Sequence, residues 1–211
     1  MKRNMQAVPP AKTEKLTARC FRIPAALFAP IAPELWNFVR DFPWDFNCKY
    51  EPAECREEIL LKLSEVKRRQ LSSEHVDLPL AADKRNIRLP NGFTAALSRT
   101  LTDHLIQAGF IHSATVSGSM IYPPGGWMGW HTNSDRVGWR LYLNYSTVSD
   151  CSFIRWFEDG EIATDYDVAG FNFRLFRIGS GGDLFWHCIY ADDWRFSLGL
   201  RLPEINFNSL G

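Results

Sequence analysis

The chain has 211 residues, of which 45% are apolar, which is enough for one domain with a sizeable core. Lys and Arg together number 24, as do Asp and Glu, so the net charge gives no reason to expect nucleic acid or an anionic membrane as a partner. Five cysteines without a CxxC pair argue against a disulfide framework or a zinc knuckle. With no apolar run of about 18 residues and no secretory h-region, the sequence predicts a protein of the reducing cytoplasm.

The first half of the chain is predicted to be helical. Residues 1–17 form a loose polar lead-in with two prolines, and residues 18–112 form a helical support. Three helices are predicted from apolar residues at helical spacing: from about Pro33 to before Pro43, Glu54 to Gln70, and Phe93 to Ala108 with Gly109 as its C-cap. Residues 71–92 carry turn signals and are predicted to be a long connection.

After Gly109 the apolar pattern changes to a period of two, which is typical of strands. Eight strands are predicted: Ala114–Tyr122, Met128–Thr132, Trp139–Tyr145, Ser152–Glu158, Glu161–Asp165, Phe171–Ile178, Leu184–His187 and Arg195–Leu202. Short strands separated by such turns indicate an α+β fold, a double-stranded β-helix (jelly roll) with the helices packed on one sheet. Residues 18–211 are predicted to be a single domain with its jelly-roll core at 113–202.

Two histidines are the candidate metal ligands. His131 and His187 lie 56 residues apart, each in an aromatic-rich strand pattern. Alternate side chains of a strand share a face, so Asn133 faces the same way as His131, and Asp135 joins them if the strand stays extended. Two imidazoles and one oxygen ligand form the arrangement that binds non-haem Fe(II) and leaves positions open for chemistry.

These residues resemble the motifs of the Fe(II)/2-oxoglutarate-dependent dioxygenase superfamily. His131-Thr132-Asn133 is similar to its His-x-Asp/Glu motif, and His187 to its distal histidine. The likeness is greatest to the AlkB-like branch, because Tyr122 stands nine residues before His131, and Arg195 and Arg201 stand six apart after His187. The resemblance covers about residues 114–202 and implies that Tyr122, Arg195 and Arg201 bind the co-substrate.

The departure from the family pattern is Asn133, where a carboxylate is expected. Three explanations stay open: Asn133 ligates through its side-chain oxygen, Asp135 supplies the carboxylate after a local bend, or the site has only two protein ligands and a further open position, as in the halogenases of the superfamily. The first is slightly favoured. No catalytic residue is predicted beyond the metal site.

The resemblance implies an iron-dependent oxygenase that oxidises an unactivated C–H bond, most simply by hydroxylation, while 2-oxoglutarate is converted to succinate and CO₂. An arginine suits this co-substrate, since a guanidinium meets a carboxylate with two parallel hydrogen bonds. Arg195 and Arg201 share one face of a strand, and Arg140 and Asn144 share a face of another as further candidates.

A different class of function stays open beside it: a cupin-like jelly roll that binds a small molecule without redox chemistry, as a degenerate oxygenase with Asn in place of the acidic ligand. The arginine pair argues against it. A small molecule or a peptide is the predicted substrate, the neutral charge argues against nucleic acid and a membrane partner, and the sequence leaves the oligomeric state open.

Overall fold

The computed structural model describes residues 19–40, 42, 54–73, 80–133 and 136–210. The predicted lead-in at residues 1–17 and the alternative ligand Asp135 lie outside them. Within these ranges the chain forms four α-helices: α1 (Ala32–Arg40), α2 (Arg56–Lys62), α3 (Glu65–Ser73) and α4 (Asn91–Gln107). Short 3₁₀ segments occupy Ala25–Ile31 and Phe207–Leu210.

Ten strands are present in the described part of the chain. In order they are β1 (Cys20–Arg22), β2 (Ile87–Arg88), β3 (Thr115–Tyr122), β4 (Gly126–His131), β5 (Gly138–Ser146), β6 (Ser152–Glu158), β7 (Glu161–Tyr166), β8 (Gly170–Ile178), β9 (His187–Ala191) and β10 (Arg195–Leu202). Seven of the eight predicted strands agree with β3 to β8 and β10 within two residues at each end.

These strands form two antiparallel sheets. The larger sheet has the order β1-β8-β5-β10-β3-β2, and the smaller has the order β4-β9-β6-β7. The antiparallel pairs β3·β10 and β5·β8 belong to the larger sheet, and the pairs β4·β9 and β6·β7 belong to the smaller. Successive pairs therefore alternate between the two sheets, which is the arrangement of a double-stranded β-helix. The predicted α+β jelly roll is confirmed, and the two sheets remain separate rather than closing into a barrel.

The two faces of the larger sheet differ in chemistry. Its outer face carries the main core, in which Leu141, Phe173 and Leu198 pack with the helices. On the same strands, Asn144, Arg174 and Ser197 alternate with these apolar residues and turn towards the smaller sheet. The polar set therefore lies between the two sheets, where a cavity opens.

Helices cover both sheets, whereas the sequence pattern predicted one. Helices α1 and α4 pack on the larger sheet through Leu35, Leu97 and Leu101. Helix α2 packs instead on the smaller sheet, with Ile59 and Leu63 against Trp127, Trp130, Phe153 and Tyr190. The reason is that the outer face of β4, β6 and β9 is also apolar, and a sheet must cover such a face.

Helix α4 follows its sequence signals closely. Leu97, Leu101 and Leu105 are fully buried on one stripe. Gly109 takes a φ of +67°, and the Phe110 N–H donates to the Leu105 carbonyl, which is the closure expected after a C-terminal glycine. Gly109 therefore ends the helix as predicted, but the C-cap itself is Ala108, one residue earlier. No helix among the described residues is long and apolar enough to span a bilayer.

Two element boundaries differ from prediction. The helix predicted from Glu54 to Gln70 is broken at Leu63 and Ser64 into α2 and α3. The strand predicted at Leu184–His187 begins instead at His187 and runs to Ala191. All five residues of β9 are buried, because one face of the strand meets the cavity and the other meets α2. A strand buried on both faces shows no polar alternation from which its limits could be read.

Candidate metal and anion site

His131 and His187 face each other across neighbouring strands. His131 is the last residue of β4, His187 is the first of β9, and the two are register partners. Their ring centroids are 4.0 Å apart. The structure thus brings together two residues that lie 56 positions apart in the sequence.

Both imidazoles are oriented in the same way. The Nδ1 of His131 lies 2.8 Å from the Gly129 carbonyl oxygen, and the Nδ1 of His187 lies 3.0 Å from the Phe185 carbonyl oxygen. A carbonyl only accepts, so each Nδ1 carries the proton and donates it. Each Nε2 is then unprotonated and carries the lone pair, which is how metal-binding histidines are commonly held.

Burial lowers the pKa of both histidines. For His131 this effect outweighs the opposing hydrogen bond to Gly129. For His187 the neighbouring His131 lowers the pKa further, because two imidazolium ions at this separation repel each other. Both rings are therefore neutral near pH 7, which is the form that binds a metal ion.

Asn133 lies beside His187. Its side-chain Nδ2 is 3.4 Å from the Nε2 of His187, to which it donates. Two ligands held about 2.1 Å from one metal at a right angle are about 3 Å apart, so an Asn133 oxygen in the place of Nδ2 would have the spacing of two ligands of a single ion. The amide oxygen and nitrogen exchange places by a half-turn of the side chain. Asn133 has a φ of +52°, a left-handed conformation that Asn and Asp adopt more readily than other side chains.

The described residues contain no cluster of three His, Cys, Asp or Glu side chains that could hold a metal. The described site thus offers two imidazoles and one amide, and its oxygen donor is neutral.

The histidines open into a cavity of about 320 Å³ between the two sheets. Apolar side chains from both sheets form part of its wall, among them Met120, Met128, Ile154, Phe176 and Ile189. Six of the residues selected from the sequence also line this cavity: Tyr122, His131, Asn133, Asn144, His187 and Arg195.

Arg195 is one of three arginines in the cavity wall, with Arg88 and Arg174. Its Nε donates to Asp167 Oδ2 at 2.7 Å, and both side chains are almost fully buried. The other oxygen of Asp167 accepts from Arg174, which is also buried and also lines the cavity. Burial alone would raise the pKa of Asp167, but the guanidinium groups of Arg195 and Arg174 outweigh this effect and lower it. Asp167 is therefore ionised and holds both arginines.

Four buried polar atoms of the cavity lining have no hydrogen-bond partner among the described residues. They are Arg195 Nη1, Ser197 Oγ, Asn144 Oδ1 and Ser117 Oγ. Ser197 and Asn144 are register partners on β10 and β5, beside Arg195 at the start of β10. Leaving such groups unpaired is costly unless a ligand satisfies them. We call Arg195, Ser197 and Asn144 the anion cradle.

Tyr122 lies beside the anion cradle. The Arg195 guanidinium carbon is 5.4 Å from the centroid of its ring. Burial raises the pKa of Tyr122, so its hydroxyl stays protonated. That hydroxyl has a weak contact of 3.9 Å with Met128 Sδ, and it can donate a stronger hydrogen bond to a ligand oxygen.

Arg201 is separated from this cavity. Arg201 is exposed at the far end of β10, and it is not among the residues that line the cavity. Six residues of strand correspond to about 20 Å, so Arg201 lies far along the strand from the cavity end that Arg195 occupies, and its role in binding the co-substrate stays a prediction. Arg140 is buried, but its guanidinium donates to the carbonyls of Trp139 and Arg136 and does not reach the cavity.

Sequence reasoning missed Arg174 and Asp167. A signal for Arg174 is present in the sequence: Asn172 and Arg174 alternate with Phe171, Phe173 and Leu175 on one strand. Polar side chains that alternate with large apolar ones indicate a face that does not enter the hydrophobic core. Asp167 follows β7 in a short connection, and nothing in its local sequence distinguishes it from a surface turn residue.

Gly199 keeps a place for Tyr142 in the cavity wall. A Cβ atom at Gly199 would lie 2.5 Å from Tyr142 Cζ and 2.8 Å from Ser117 Oγ. We expect Gly199→Ala to displace the Tyr142 ring and lower the free energy of unfolding by about 1–3 kcal/mol, as measured by urea denaturation. Gly92→Ala in α4 is the control, because nothing lies within 4 Å of its Cβ and a neutral or slightly stabilising effect is expected there. Equal effects of the two substitutions would contradict this account.

No family model matches the chain, and no curated protein matches it. Two solved structures are similar to it. One is a prolyl-4-hydroxylase from Pseudomonas putida, 16% identical over 89% of this chain and 94% of that one, with a TM-score of 0.42. The other is an oxidoreductase of the 2OG-Fe(II) oxygenase family from Burkholderia pseudomallei, 11% identical over 67% of this chain and 80% of that one, with a TM-score of 0.40.

Proposed function

We propose that this protein is an Fe(II)- and 2-oxoglutarate-dependent oxygenase. One observation supports the proposal: a single cavity joins two neutral imidazoles with unprotonated Nε2 atoms to a buried arginine with an unpartnered N–H. The first feature suits a divalent transition metal, and the second suits a carboxylate. A ligand with a metal-chelating end and a carboxylate end satisfies both.

The residues fit the proposed cofactor and co-substrate. His131, His187 and Asn133 would hold the iron, with Asp135 as the alternative third ligand. Arg195 and Tyr122 would bind the co-substrate carboxylate, helped by Ser197 and Asn144. Bound iron and 2-oxoglutarate would together supply the oxidising power for an unactivated C–H bond, with release of succinate and CO₂.

The chain's own residues bind, orient and exclude water. The carbonyls of Gly129 and Phe185 fix the orientation of the two imidazole rings through their Nδ1 atoms, and the ring centroids are 4.0 Å apart. Asp167 fixes the Arg195 guanidinium against the cavity. The apolar wall formed by Met128, Ile154, Phe176 and Ile189 limits water near the metal and offers a surface to the C–H bond of a small molecule or peptide.

The test is anaerobic addition of Fe(II) and then 2-oxoglutarate to the purified protein. We expect a weak visible charge-transfer band from the chelated complex. His131→Ala and Arg195→Ala should each abolish it, whereas His112→Ala, at an exposed position outside the cavity, should not. A wild-type protein that binds neither iron nor 2-oxoglutarate would overturn the proposal.

A second candidate is a small-molecule binding jelly roll without redox activity. The neutral amide of Asn133 favours it, because this amide stands where the dioxygenase pattern has a charged ligand for the metal. In that case the anion cradle would bind a carboxylate compound without iron. Binding of 2-oxoglutarate that is the same with and without Fe(II) would support this candidate over the oxygenase.

Asn133→Asp tests the third ligand. A carboxylate adds a negative charge beside the metal, and Asp tolerates the left-handed backbone at this position nearly as well as Asn. We expect Fe(II) to bind about tenfold more tightly or better, which is modest for a unit charge in direct contact with the ion. Anaerobic calorimetry measures it. If the variant binds iron no better than the wild type, Asn133 is not a ligand.

A further inference from the structure

The anion cradle is one end of a chain of five alternating charges. Arg22 on β1 pairs with Asp165 on β7 at 2.8 Å, and the same carboxylate accepts from Arg174 Nε at 2.6 Å. Arg174 also pairs with Asp167, and Asp167 pairs with Arg195 Nε at 2.7 Å. The sequence Arg22, Asp165, Arg174, Asp167, Arg195 therefore runs from the surface to the cavity.

This chain of charges carries one uncompensated positive charge. It contains three guanidinium groups and two carboxylates, and the described residues supply no third carboxylate to it. Arg174, Asp167 and Arg195 are at most 2% exposed, so water screens this excess poorly. The excess is satisfied when an anion binds where Arg195 Nη1 lacks a partner.

Within this chain of charges, Arg174 balances part of the negative charge of the two carboxylates and so leaves the charge of Arg195 available to a ligand. It is bonded to both acids, through Nε to Asp165 and through Nη1 to Asp167. Without it, the two carboxylates would balance Arg22 and Arg195, and the cavity end would be neutral overall. Arg195 would then have its charge largely cancelled by Asp167, although its hydrogen bond to a ligand would remain geometrically possible.

We propose that Arg174 determines the preference of this cavity for a co-substrate with a terminal carboxylate. This inference rests on the proposed function. Arg174 acts through Asp167 on Arg195, as a positioning and charge-setting residue rather than one that touches the reacting atoms. Its removal therefore weakens the binding of a dicarboxylate 2-oxo acid much more than that of a 2-oxo acid with an apolar tail.

The experiment compares two ligands on Fe(II)-loaded protein by anaerobic calorimetry and by competition. One is 2-oxoglutarate, and the other is 2-oxopentanoate, which has the same chain length but a methyl group in place of the terminal carboxylate. In Arg174→Gln we expect 2-oxoglutarate affinity to fall at least about tenfold, and 2-oxopentanoate affinity to stay within about twofold. Arg174→Lys keeps the charge and should keep most of the preference.

A second substitution separates charge from packing. Arg174→Gln combined with Asp165→Asn restores the excess of one positive charge, so 2-oxoglutarate affinity should recover to within about threefold of wild type. Asp165→Asn alone raises the excess positive charge from one to two, and it should therefore strengthen 2-oxoglutarate binding. Since Asp165 is 25% exposed, this variant keeps the test available if Arg174→Gln does not fold.

The outcomes are distinguishable. An unchanged preference in Arg174→Gln overturns the inference, and so does a double variant that binds as weakly as the single one or an Asp165→Asn variant that binds no more tightly. Failure of the wild-type protein to bind 2-oxoglutarate overturns the proposed function, and the role of Arg174 falls with it.

Discussion

His187→Gln is expected to reduce Fe(II) affinity at least about 100-fold. Loss of a residue that only orients a metal ligand already lowers metal affinity by up to about 100-fold, and loss of the ligand itself should lower it by no less. The substitution removes one of two imidazoles whose ring centroids lie 4.0 Å apart and whose Nε2 atoms are unprotonated. Glutamine has no aromatic nitrogen lone pair, and its neutral amide oxygen binds Fe(II) more weakly than an imidazole does. Anaerobic calorimetry with Fe(II) alone measures the effect, before any co-substrate is added.

His104→Gln is the matched control for this prediction. His104 is also a buried histidine with a hydrogen bond to a carbonyl, from its Nε2 to Leu27 at 2.6 Å. It lies on α4 beneath the outer face of the larger sheet and does not line the cavity. We expect its iron affinity to remain within about twofold of wild type. Equal losses in both variants would indicate damage to the fold rather than loss of a ligand.

The jelly roll could be predicted because its signals are local. Each strand of the larger sheet has one face towards helices and one towards the cavity, and this difference appears as alternation in Trp139–Tyr145, Phe171–Ile178 and Arg195–Leu202. To predict that His131 and His187 lie together, the order of the motifs along the chain was needed as well. Neither histidine alone differs from an ordinary core residue.

The anion cradle was only partly predictable for a physical reason. Arg195 was selected from its place after His187, but the role of a charged side chain depends on the total charge around it. That total is set by Asp165, Asp167 and Arg174, which come from two other strands and the connection between them. The same spacing argument selected Arg201, because sequence distance along a strand does not show where the cavity ends.

The identity of the proposed third metal ligand also depends on local backbone geometry. Asn133 stands two residues after the end of β4, and its left-handed φ shows that the chain turns there instead of continuing as an extended strand. The face parity that grouped His131, Asn133 and Asp135 therefore stops applying after Asn133. Asp135 lies outside the described residues, and its role stays a prediction that Asn133→Asp helps to decide.

Asp167→Asn is expected to lower the free energy of unfolding by about 3–5 kcal/mol at pH 7, as is usual when one partner of a buried ion pair is removed. Asp167 is fully buried and bonded to both Arg174 and Arg195. The variant leaves two buried guanidinium groups without their shared counter-ion, and an amide cannot replace that charge.

Urea denaturation of the ligand-free protein measures the change, and Asp183→Asn is the control. Asp183 pairs with Arg19 on the surface and is 58% exposed, so it should contribute no more than about 1 kcal/mol.

The pH dependence gives this prediction a direction that a packing defect would not show. The pKa of Asp167 is lower in the folded protein than in the unfolded chain, where it is about 3.9. Its stabilising contribution is therefore fully present above pH of about 4 and is lost as the pH falls through the lower folded pKa. The difference in free energy of unfolding between wild type and Asp167→Asn should stay constant from neutral pH down to about pH 4, and it should shrink at lower pH. A difference that persists unchanged in acid would mean that the substituted amide disturbs the structure by its shape, and that the charge of Asp167 does not hold Arg195 in the cavity.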